Sequence, residues 1–234
     1  MKPRLLDLFC CAGGAAMGYH RAGFEVVGVD IDPQPNYPFR FIQADAMEIL
    51  QTLTIDSSGF DAVHASPPCQ DHSPVTGRDR KSNGEKGTGW MLAATIERLS
   101  TLRLPWVVEN VETAEMPANV HKVRLCGSSF GLDVRRHRWF ASNVALMVPP
   151  CDHGWQTPRF RSLDMKSHRA GRLASVVGVH GHLNYAGERE VREKAMGIDW
   201  MTPDELAQAI PPAYTELLGS QLRSHVLAAS GVDG

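Results

Sequence analysis

Two apolar segments of this sequence are each followed by a side chain that can take part in covalent chemistry. Cys69 comes after the apolar stretch 60–64 and after Pro67 and Pro68, which prevent a strand from continuing. Forty residues later, Glu109 ends a second apolar run. A thiolate can add to one carbon of a pyrimidine ring while a carboxyl group protonates or hydrogen-bonds the polar edge of that ring. The pair therefore predicts a nucleophile and an acid.

Alternating strand and helix patterns would position these two side chains. Short apolar runs predict strands, and longer helix-favouring stretches predict helices between them. The predicted strands span residues 4–9, 25–29, 41–44, 60–64 and 106–109, and the predicted helices span 15–22, 46–53 and 89–102. This alternation predicts an α/β fold with a doubly wound, mostly parallel sheet and helices on both faces. Ligands of such a sheet bind at the carboxyl ends of its strands.

The first three predicted strands end in residues that suit an adenosine-type ligand. A loop containing Gly13 and Gly14 follows the first strand, and glycine allows a ligand close to the backbone. Asp30 ends the second strand, where a carboxylate can hold a pair of ribose hydroxyls. Asp45 follows the third strand and could accept a hydrogen bond from an adenine amino group. Together they predict an adenosine-type cofactor.

The charge of the chain is uneven along its length. In 234 residues, 24 Lys plus Arg face 26 Asp plus Glu, so the total charge does not indicate a nucleic-acid partner. Residues 151–172 hold five basic against two acidic side chains, whereas the chain from 187 onward holds four against eight. The middle segment could therefore face a phosphate backbone, or it could be an ordinary solvated surface.

Cysteine content and the N-terminal stretch indicate where the protein works. Five cysteines, two of them adjacent at positions 10 and 11, do not suggest a disulfide framework, so we expect a reduced, cytoplasmic setting. Asp7 interrupts the short apolar N-terminal run, which is therefore not expected to be a signal peptide. No apolar run approaches the roughly 20 residues that a membrane span needs.

A series of motifs follows in order along nearly the whole chain. They occupy residues 7–14, 28–32, 44–46, 67–70, 109–111, 130–138, 189–197 and 210–212. In this order they resemble the motifs of the cytosine carbon-5 DNA methyltransferases of bacterial or phage type. The resemblance implies a Rossmann-like methyltransferase that uses S-adenosylmethionine and flips a cytosine out of double-stranded DNA.

The resemblance assigns roles to individual residues. The implied catalytic residues are Cys69, Glu109, Arg136 and Arg138, with Cys69 as nucleophile and the arginines as the groups that hold the cytosine carbonyl. The implied cofactor-binding residues are Phe9, Ala12, Gly13, Gly14, Asp30, Ile31, Asp45, Ala46 and Pro67. The loop 71–88, which would close over the flipped base, and the basic middle segment predict nucleic-acid contacts from Arg78, Lys81, Arg159, Arg161, Lys166 and Arg169.

The domain organisation follows from the same comparison. Residues 1–140 are predicted to form the catalytic core, 141–186 a small recognition lobe, and 187–234 C-terminal helices that return to the core. Only about 45 residues separate Phe140 from Arg189, fewer than the family usually inserts there. The chain departs from the family pattern in three other places, at Cys11, at Val134 and at residues 207–208.

Alternatives remain at the level of the sequence. The same chemistry could act on RNA, or the chain could be a catalytically silent DNA-binding subunit. A pairing with a restriction nuclease fits the family, and no obligate protein partner is expected. Cys151 and His153, with His137 or His168, could suggest zinc, but zinc spacing signatures are absent and no metal is expected.

Overall fold

Seven strands form one sheet within the part of the chain that the structure describes. This structure is a computed structural model, and it describes residues 2–53, 59–68, 89–156, 176–179, 188–229 and 231. The strands are β1 (Arg4–Leu8), β2 (Glu25–Asp30), β3 (Arg40–Gln43), β4 (Ala62–Ala65), β5 (Trp106–Val111), β6 (His121–Leu125) and β7 (Arg138–Ser142). Their order across the sheet is β3-β2-β1-β4-β5-β7-β6. The strands from β3 to β5 pair in parallel, whereas β7 pairs antiparallel with both β5 and β6.

Helices cover both faces of the sheet. They are α1 (Gly14–Arg21), α2 (Ala46–Thr52), α3 (Trp90–Ser100), α4 (Glu188–Met196), α5 (Pro203–Gln208) and α6 (Pro212–Ala229). Helices α1 and α6 bury Tyr19 and Tyr214 in one core cluster, and α2 and α3 bury Leu50 and Leu99 in another. Adjacent strand residues point to opposite faces, so Leu5 belongs to the first cluster and Leu6 to the second. The predicted doubly wound α/β fold is confirmed.

The C-terminal helix packs tightly against the first helix of the chain. The hydroxyl of Thr215 on α6 donates to the backbone oxygen of Ala15 on α1 at 2.8 Å. A Cβ added at Gly18 would stand 2.0 Å from Thr215 Oγ1, so glycine is required there for the two helices to approach. The chain after residue 187 thus returns to the face that carries α1.

The antiparallel edge of the sheet was not among the predicted strands. In β6 only Val123 and Leu125 are buried, and the other side chains of the strand are exposed. Such a weak apolar pattern does not stand out in a sequence. β7 also continues across residue 140 to Ser142, and β5 continues to Val111.

A third, smaller cluster lies under α4 and α5. It joins Met196, Ile198 and Leu206 to Ala12 of the loop after β1 and to Val134. The C-terminal part of the chain is therefore packed against the loop that follows the first strand. No helix among the described residues is long and apolar enough to cross a membrane.

Candidate active site

The carboxyl ends of the central strands meet at a topological switch point. From β1 the chain moves outward to β2 and β3, and it later adds β4 and β5 on the other side of β1. The loops leaving β1 and β4 therefore diverge and leave a crevice between them. The backbone N–H of Ser66 donates to the oxygen of Leu8 at 3.1 Å, which keeps the two strand ends adjacent. Residues 9–13 and 66–68 belong to the segments that leave these two strands.

The loop after β1 has an unusual backbone. Phe9 and Cys11 adopt positive φ angles of 58° and 45°, and Gly13 adopts 82°. Left-handed backbone costs a non-glycine residue about 1 to 2 kcal/mol, so neighbouring contacts must hold the loop. The N–H of Cys11 donates to Asp30 Oδ2 at 2.9 Å. The turn thus accommodates a side chain at Cys11, where the family has glycine, with the help of the carboxylate that ends β2.

Asp30 organises the end of β2 as well as the loop after β1. Its other oxygen, Oδ1, accepts from the N–H of Asp32 at 3.1 Å. The next side chain, Ile31, is 64% exposed, an unusual position for a large apolar residue. Gln43 holds the backbone oxygen of Ile31 through its amide at 3.1 Å. A carboxylate and an exposed apolar side chain therefore stand together at this strand end.

The third predicted strand end has a clear local role. Asp45 Oδ1 accepts from the N–H of Met47 at 2.7 Å and so caps the N-terminus of α2. Ala46 is the buried first residue of that helix. On the opposite wall, Trp200 Nε1 donates to the backbone oxygen of Ala12 at 3.0 Å, a contact that the sequence did not reveal. The predicted cofactor-binding residues therefore lie at the carboxyl ends of neighbouring strands, on one side of the sheet.

Asp7 lies buried beneath the same loop. Burial raises the pKa of its carboxyl group to about 8, against the opposing effect of a hydrogen bond from the Tyr37 hydroxyl, which lies 3.4 Å from Oδ2. Among the described residues, Oδ1 has no hydrogen-bond partner although it is buried. Asp7 is therefore protonated and neutral near pH 7.

Glu109 is the acid that the sequence predicted, and the structure buries it. Its side chain lies on β5 beside the end of β4, because β4 and β5 pair with Ala65 opposite Val108. Arg138 Nε lies 3.0 Å from Glu109 Oε1, but the two are not aligned for a hydrogen bond, and Oε1 has no such partner among the described residues. Burial raises the pKa of Glu109, with Arg138, Arg136 and a hydrogen bond from Ser66 opposing. The carboxyl group is thereby poised to hold a proton.

A buried chain of hydrogen bonds extends from Ser66 into the core. Ser66 Oγ lies 2.9 Å from His64 Nε2, and His64 Nδ1 lies 3.0 Å from the hydroxyl of Tyr19. Burial lowers the pKa of His64 to about 3, so the imidazole is neutral. No role was predicted for these residues from the sequence. The one feature that could have indicated them is a histidine, His64, within an apolar strand. These hydrogen bonds hold Ser66 in place, and Ser66 in turn contacts Glu109.

Asn110 connects the acid strand to the segment that leads to Cys69. Its side-chain amide donates to the backbone oxygen of Pro67 at 3.1 Å, and both groups are buried. Its Oδ1 accepts from the N–H of Val111 at 2.9 Å, which fixes the orientation of the amide. The two strand ends that carry Glu109 and the Pro67 segment are thus held together directly.

The two arginines of the motif 130–138 differ in their surroundings. Arg138 begins β7, faces Glu109, and donates from Nη1 to the backbone oxygen of His137 at 2.8 Å. Arg136 is buried and donates to the backbone oxygens of Val179 and Ala207 at 3.3 and 2.7 Å. Arg138 therefore lines the site, and Arg136 ties the site to the C-terminal part of the chain.

Several predicted site residues lie outside the described residues. They are Cys69, Arg78, Lys81, Arg159, Arg161, Lys166 and Arg169. The chain on either side of residues 157–175 is described, and both flanks contact the segment 132–135. Gln156 Nε2 donates to the oxygen of Leu132 at 2.8 Å, and the N–H of Val177 donates to that of Asp133 at 2.6 Å. The described residues that flank residues 157–175 therefore lie close to the motif arginines.

Known proteins share this sequence pattern and this fold. The family model of the C-5 cytosine-specific DNA methylases matches residues 3–141, more than half of the chain. The type II methyltransferase M.HgiGI of Herpetosiphon aurantiacus is 27% identical over 51% of this chain and 98% of its own length. The type II methylase M.HgiDII of the same organism is 28% identical over 82% of this chain. The chain spans 54% of the length of M.HgiDII.

Solved structures give the same fold at lower sequence identity. A protein named as a DNA modification methyltransferase from an E. coli prophage superposes with a TM-score of 0.62 at 15% identity, covering 97% of this chain and 99% of its own. The S. pombe Dnmt2 methyltransferase superposes with a TM-score of 0.56 at 14% identity, covering 98% and 99%. These likenesses establish a Rossmann-like methyltransferase fold. Together with the family match, they confirm the resemblance seen in the sequence: the chain belongs to the C-5 cytosine-specific DNA methylase family.

Proposed function

We propose that the protein transfers a methyl group from S-adenosylmethionine to carbon 5 of a cytosine in double-stranded DNA, through a covalent adduct with Cys69. The observation that carries this proposal is the buried carboxyl group of Glu109. It lies beside the end of β4, contacts Arg138, and has a raised pKa. A carboxyl group that can hold a proton, next to a strand that leads to a cysteine, is what cytosine activation requires.

Cys69 is the nucleophile in this mechanism. Carbon 5 of cytosine is a poor nucleophile until a thiolate adds to carbon 6, which makes the ring enamine-like. Cys69 follows Ser66 by three residues, and Ser66 contacts Glu109. The hydrogen bond from Asn110 to the Pro67 backbone holds the start of this segment beside β5. The supporting fact is therefore the anchoring of the chain just before Cys69.

Glu109 and Arg138 stabilise the charge that enters the ring. When the thiolate adds, electron density moves toward ring nitrogen 3 and the carbonyl oxygen. Glu109, whose pKa is raised by burial, would donate a proton to nitrogen 3. Arg138, which is only 15% exposed at its side chain, would hold the carbonyl oxygen. After methyl transfer, loss of the carbon-5 proton expels Cys69.

The strand ends of β1, β2 and β3 suit the methyl donor. S-adenosylmethionine, when bound, supplies an electrophilic methyl group on its sulfonium. The exposed Ile31 offers an apolar surface for the adenine ring, and Asp30 beside it offers a carboxylate for the ribose. The loop after β1, which has left-handed backbone at Phe9 and Gly13, would hold the rest of the molecule. These residues fit the cofactor.

DNA is the proposed partner of this site. A stacked base cannot present carbon 6 to a thiol, so the cytosine must leave the helix at a cost of a few kcal/mol. The residues that flank 157–175 contact the segment 132–135 beside the motif arginines, and the basic side chains between these flanks would reach the phosphate backbone. A role in a restriction–modification system and a cytoplasmic location belong to the same proposal. Among the described residues, the cysteines at positions 10, 11, 126 and 151 form no disulfide bond, as expected in a reduced compartment.

One assay distinguishes this proposal from its alternatives. The protein is incubated with labelled S-adenosylmethionine in three separate reactions. The first contains duplex DNA, the second contains duplex DNA in which every cytosine is already methylated at carbon 5, and the third contains a structured RNA. We expect label in the unmodified duplex alone, and bisulfite sequencing should place it on cytosine. Label in the RNA alone would instead identify an RNA methyltransferase, and binding of DNA without any transfer would identify a silent subunit.

Replacement of Asp30 should weaken cofactor binding. Asp30→Ala removes the carboxylate that would hold the ribose and that holds the N–H of Cys11. We expect a loss of about 1 to 3 kcal/mol in S-adenosylmethionine affinity, measured by calorimetry on the free protein. Glu25→Ala is the matched control, because Glu25 is an exposed carboxylate at the opposite end of the same strand. Equal affinities in the two variants would mean that the end of β2 does not hold the ribose.

The small recognition region should read a short target. About 45 residues lie between Phe140 and Arg189, and each good base contact gives only about 1 to 3 kcal/mol of discrimination. We expect a target of roughly two to four base pairs and an affinity that falls steeply with salt. Arg159→Ala, Arg161→Ala and Lys166→Ala should weaken binding to all sequences more than they change the target. Genome-wide bisulfite mapping measures this, and a strict target of six or more base pairs would contradict it.

A further inference from the structure

Four metal-binding side chains converge near the motif arginines. They are Cys126, His137, Cys151 and His153, and their ligand atoms all lie within 4.8 Å of one another. His153 Nε2 lies 3.3 Å from Cys126 Sγ and 2.9 Å from Cys151 Sγ, and His137 Nε2 lies 3.3 Å from Cys151 Sγ. The sequence analysis expected no metal because no zinc spacing signature is present. The structure brings the residues together from segments that lie apart in the sequence.

The geometry of the cluster suits a tetrahedral ion. Bonds of about 2.0 to 2.3 Å from zinc to nitrogen and sulfur hold tetrahedral ligand atoms roughly 3.3 to 3.8 Å apart. The distances within the cluster are close to this range, so small side-chain adjustments would complete the coordination. Two thiolates and two imidazoles are a ligand set that selects zinc, and two thiolates cancel its charge. With four protein ligands the site is closed, which indicates a structural ion.

Groups around the cluster orient its ligands. His137 Nε2 faces the cluster, and its other ring nitrogen, Nδ1, lies 3.3 Å from Glu112 Oε2. A carboxylate on the second nitrogen of a zinc-bound histidine fixes its tautomer and raises its basicity. The hydroxyl of Ser128 lies 3.4 Å from Cys151 Sγ and can orient the thiolate. These contacts come from residues other than the four ligands.

We propose that Cys126, His137, Cys151 and His153 bind one structural zinc ion. Cys126 directly follows β6, His137 directly precedes β7, and the other two ligands follow β7. His137 lies between Arg136 and Arg138 in the sequence. Just beyond His153, Gln156 marks the start of the basic segment. The ion would therefore fasten the catalytic arginine strand to the start of the segment that reaches DNA. This inference does not depend on which nucleic acid is the substrate.

Metal content is the first test. The 234-residue chain is produced in zinc-supplemented medium, purified without chelators or a metal-affinity tag, and measured by elemental mass spectrometry. We expect one zinc ion per chain, lost in Cys151→Ser and His153→Ala. Cys11→Ser and His20→Ala are matched controls that remove an exposed thiol and an exposed imidazole elsewhere, and they should keep the ion. A wild-type chain without zinc, or zinc retained by both cluster variants, would overturn the proposal.

Cobalt substitution tests the ligand set without relying on the folding of a variant. Zinc is removed from the wild-type protein and Co²⁺ is added under reducing conditions. We expect the intense visible bands of tetrahedral cobalt together with thiolate charge-transfer absorption in the near ultraviolet. Weak octahedral bands without charge transfer, or a disulfide between Cys126 and Cys151 in place of a metal, would contradict the proposed site.

Glu112 provides a third measurement. Glu112→Gln should weaken zinc affinity tenfold or more in competition with a chelator, because it removes the carboxylate behind His137. Glu115→Gln removes the same charge from an exposed position nearby and is expected to leave the affinity unchanged. Equal zinc affinities in the two variants would show that His137 is not held as a ligand.

Discussion

Cys69→Ala is expected to abolish methyl transfer and to leave cofactor binding in place. Without the thiolate, carbon 6 of cytosine receives no nucleophile and carbon 5 stays unreactive, so the rate should fall by roughly four orders of magnitude or more. The measurement is single-turnover transfer of label from S-adenosylmethionine to duplex DNA. Calorimetry on the same sample should show unchanged cofactor affinity, because the substitution leaves intact the ends of β1, β2 and β3 that are proposed to bind the cofactor.

Mechanism-based trapping gives this prediction its control. In DNA that contains 5-fluorocytosine, the departing proton is replaced by fluorine, so the adduct cannot break down. We expect the parent protein to form a stable adduct that peptide mapping places on Cys69, and Cys69→Ala to form none. An adduct on Cys11 or on another cysteine, or an adduct formed by Cys69→Ala, would refute the assignment of the nucleophile.

Glu109→Gln is expected to slow methyl transfer by about 10² to 10⁴-fold. Glutamine keeps the shape of the side chain but cannot deliver a proton to the ring. Burial raises the pKa of Glu109, so in the parent protein the required proton is present at low pH and is lost as the pH rises through this raised value. The single-turnover rate should therefore rise with pH as the Cys69 thiolate forms and fall at higher pH as Glu109 loses its proton.

The pH profile separates a catalytic role of Glu109 from a structural one. In Glu109→Gln the alkaline limb should disappear while the acid limb remains, because only the thiol still titrates. Glu115 is an exposed carboxyl group shortly after β5, so Glu115→Gln is the control and should reproduce both limbs of the parent profile. An unchanged rate, or an alkaline limb that persists in Glu109→Gln, would show that Glu109 does not supply the proton.

The parallel part of the fold could be predicted well, and its antiparallel edge could not. Strands β1, β2, β4 and β5 are short, strongly apolar runs that follow or precede helical stretches, and this local pattern predicts buried parallel strands. β6 buries only two of its side chains, and its position depends on pairing with β7. Pairing partners at an edge are set by the whole sheet, so the sequence of β6 carries little information about it.

The predicted site residues also divide according to what their contacts depend on. Glu109 lies on the predicted strand, which continues past it to Val111, and its burial, its raised pKa and its contact with Arg138 follow from the antiparallel pairing of β5 with β7. Arg136 was predicted to hold the cytosine carbonyl together with Arg138, and the structure shows that it donates to the backbone oxygens of Val179 and Ala207. The role of Cys69 stays a prediction.

The order of the chemical groups along the chain, and the strands that carry them, could be predicted from the amino-acid sequence alone. Apolar runs, glycines and the residues that follow them are local features, and in a parallel sheet all strand ends meet at one edge. That rule was enough to bring the Gly13 loop, Asp30 and Glu109 to the same side of the molecule.

The residues that surround these groups depend on the tertiary structure. Tyr19, His64 and Ser66 form one series of hydrogen bonds behind Glu109 because Tyr19 of α1 reaches His64 of β4. The four residues of the proposed zinc site converge because β6 and β7 run antiparallel, which places the chain after β6, before β7 and after β7 in one region. Distances between residues far apart in sequence are set by strand pairing and helix packing, and the spacing of residues along the chain does not report them.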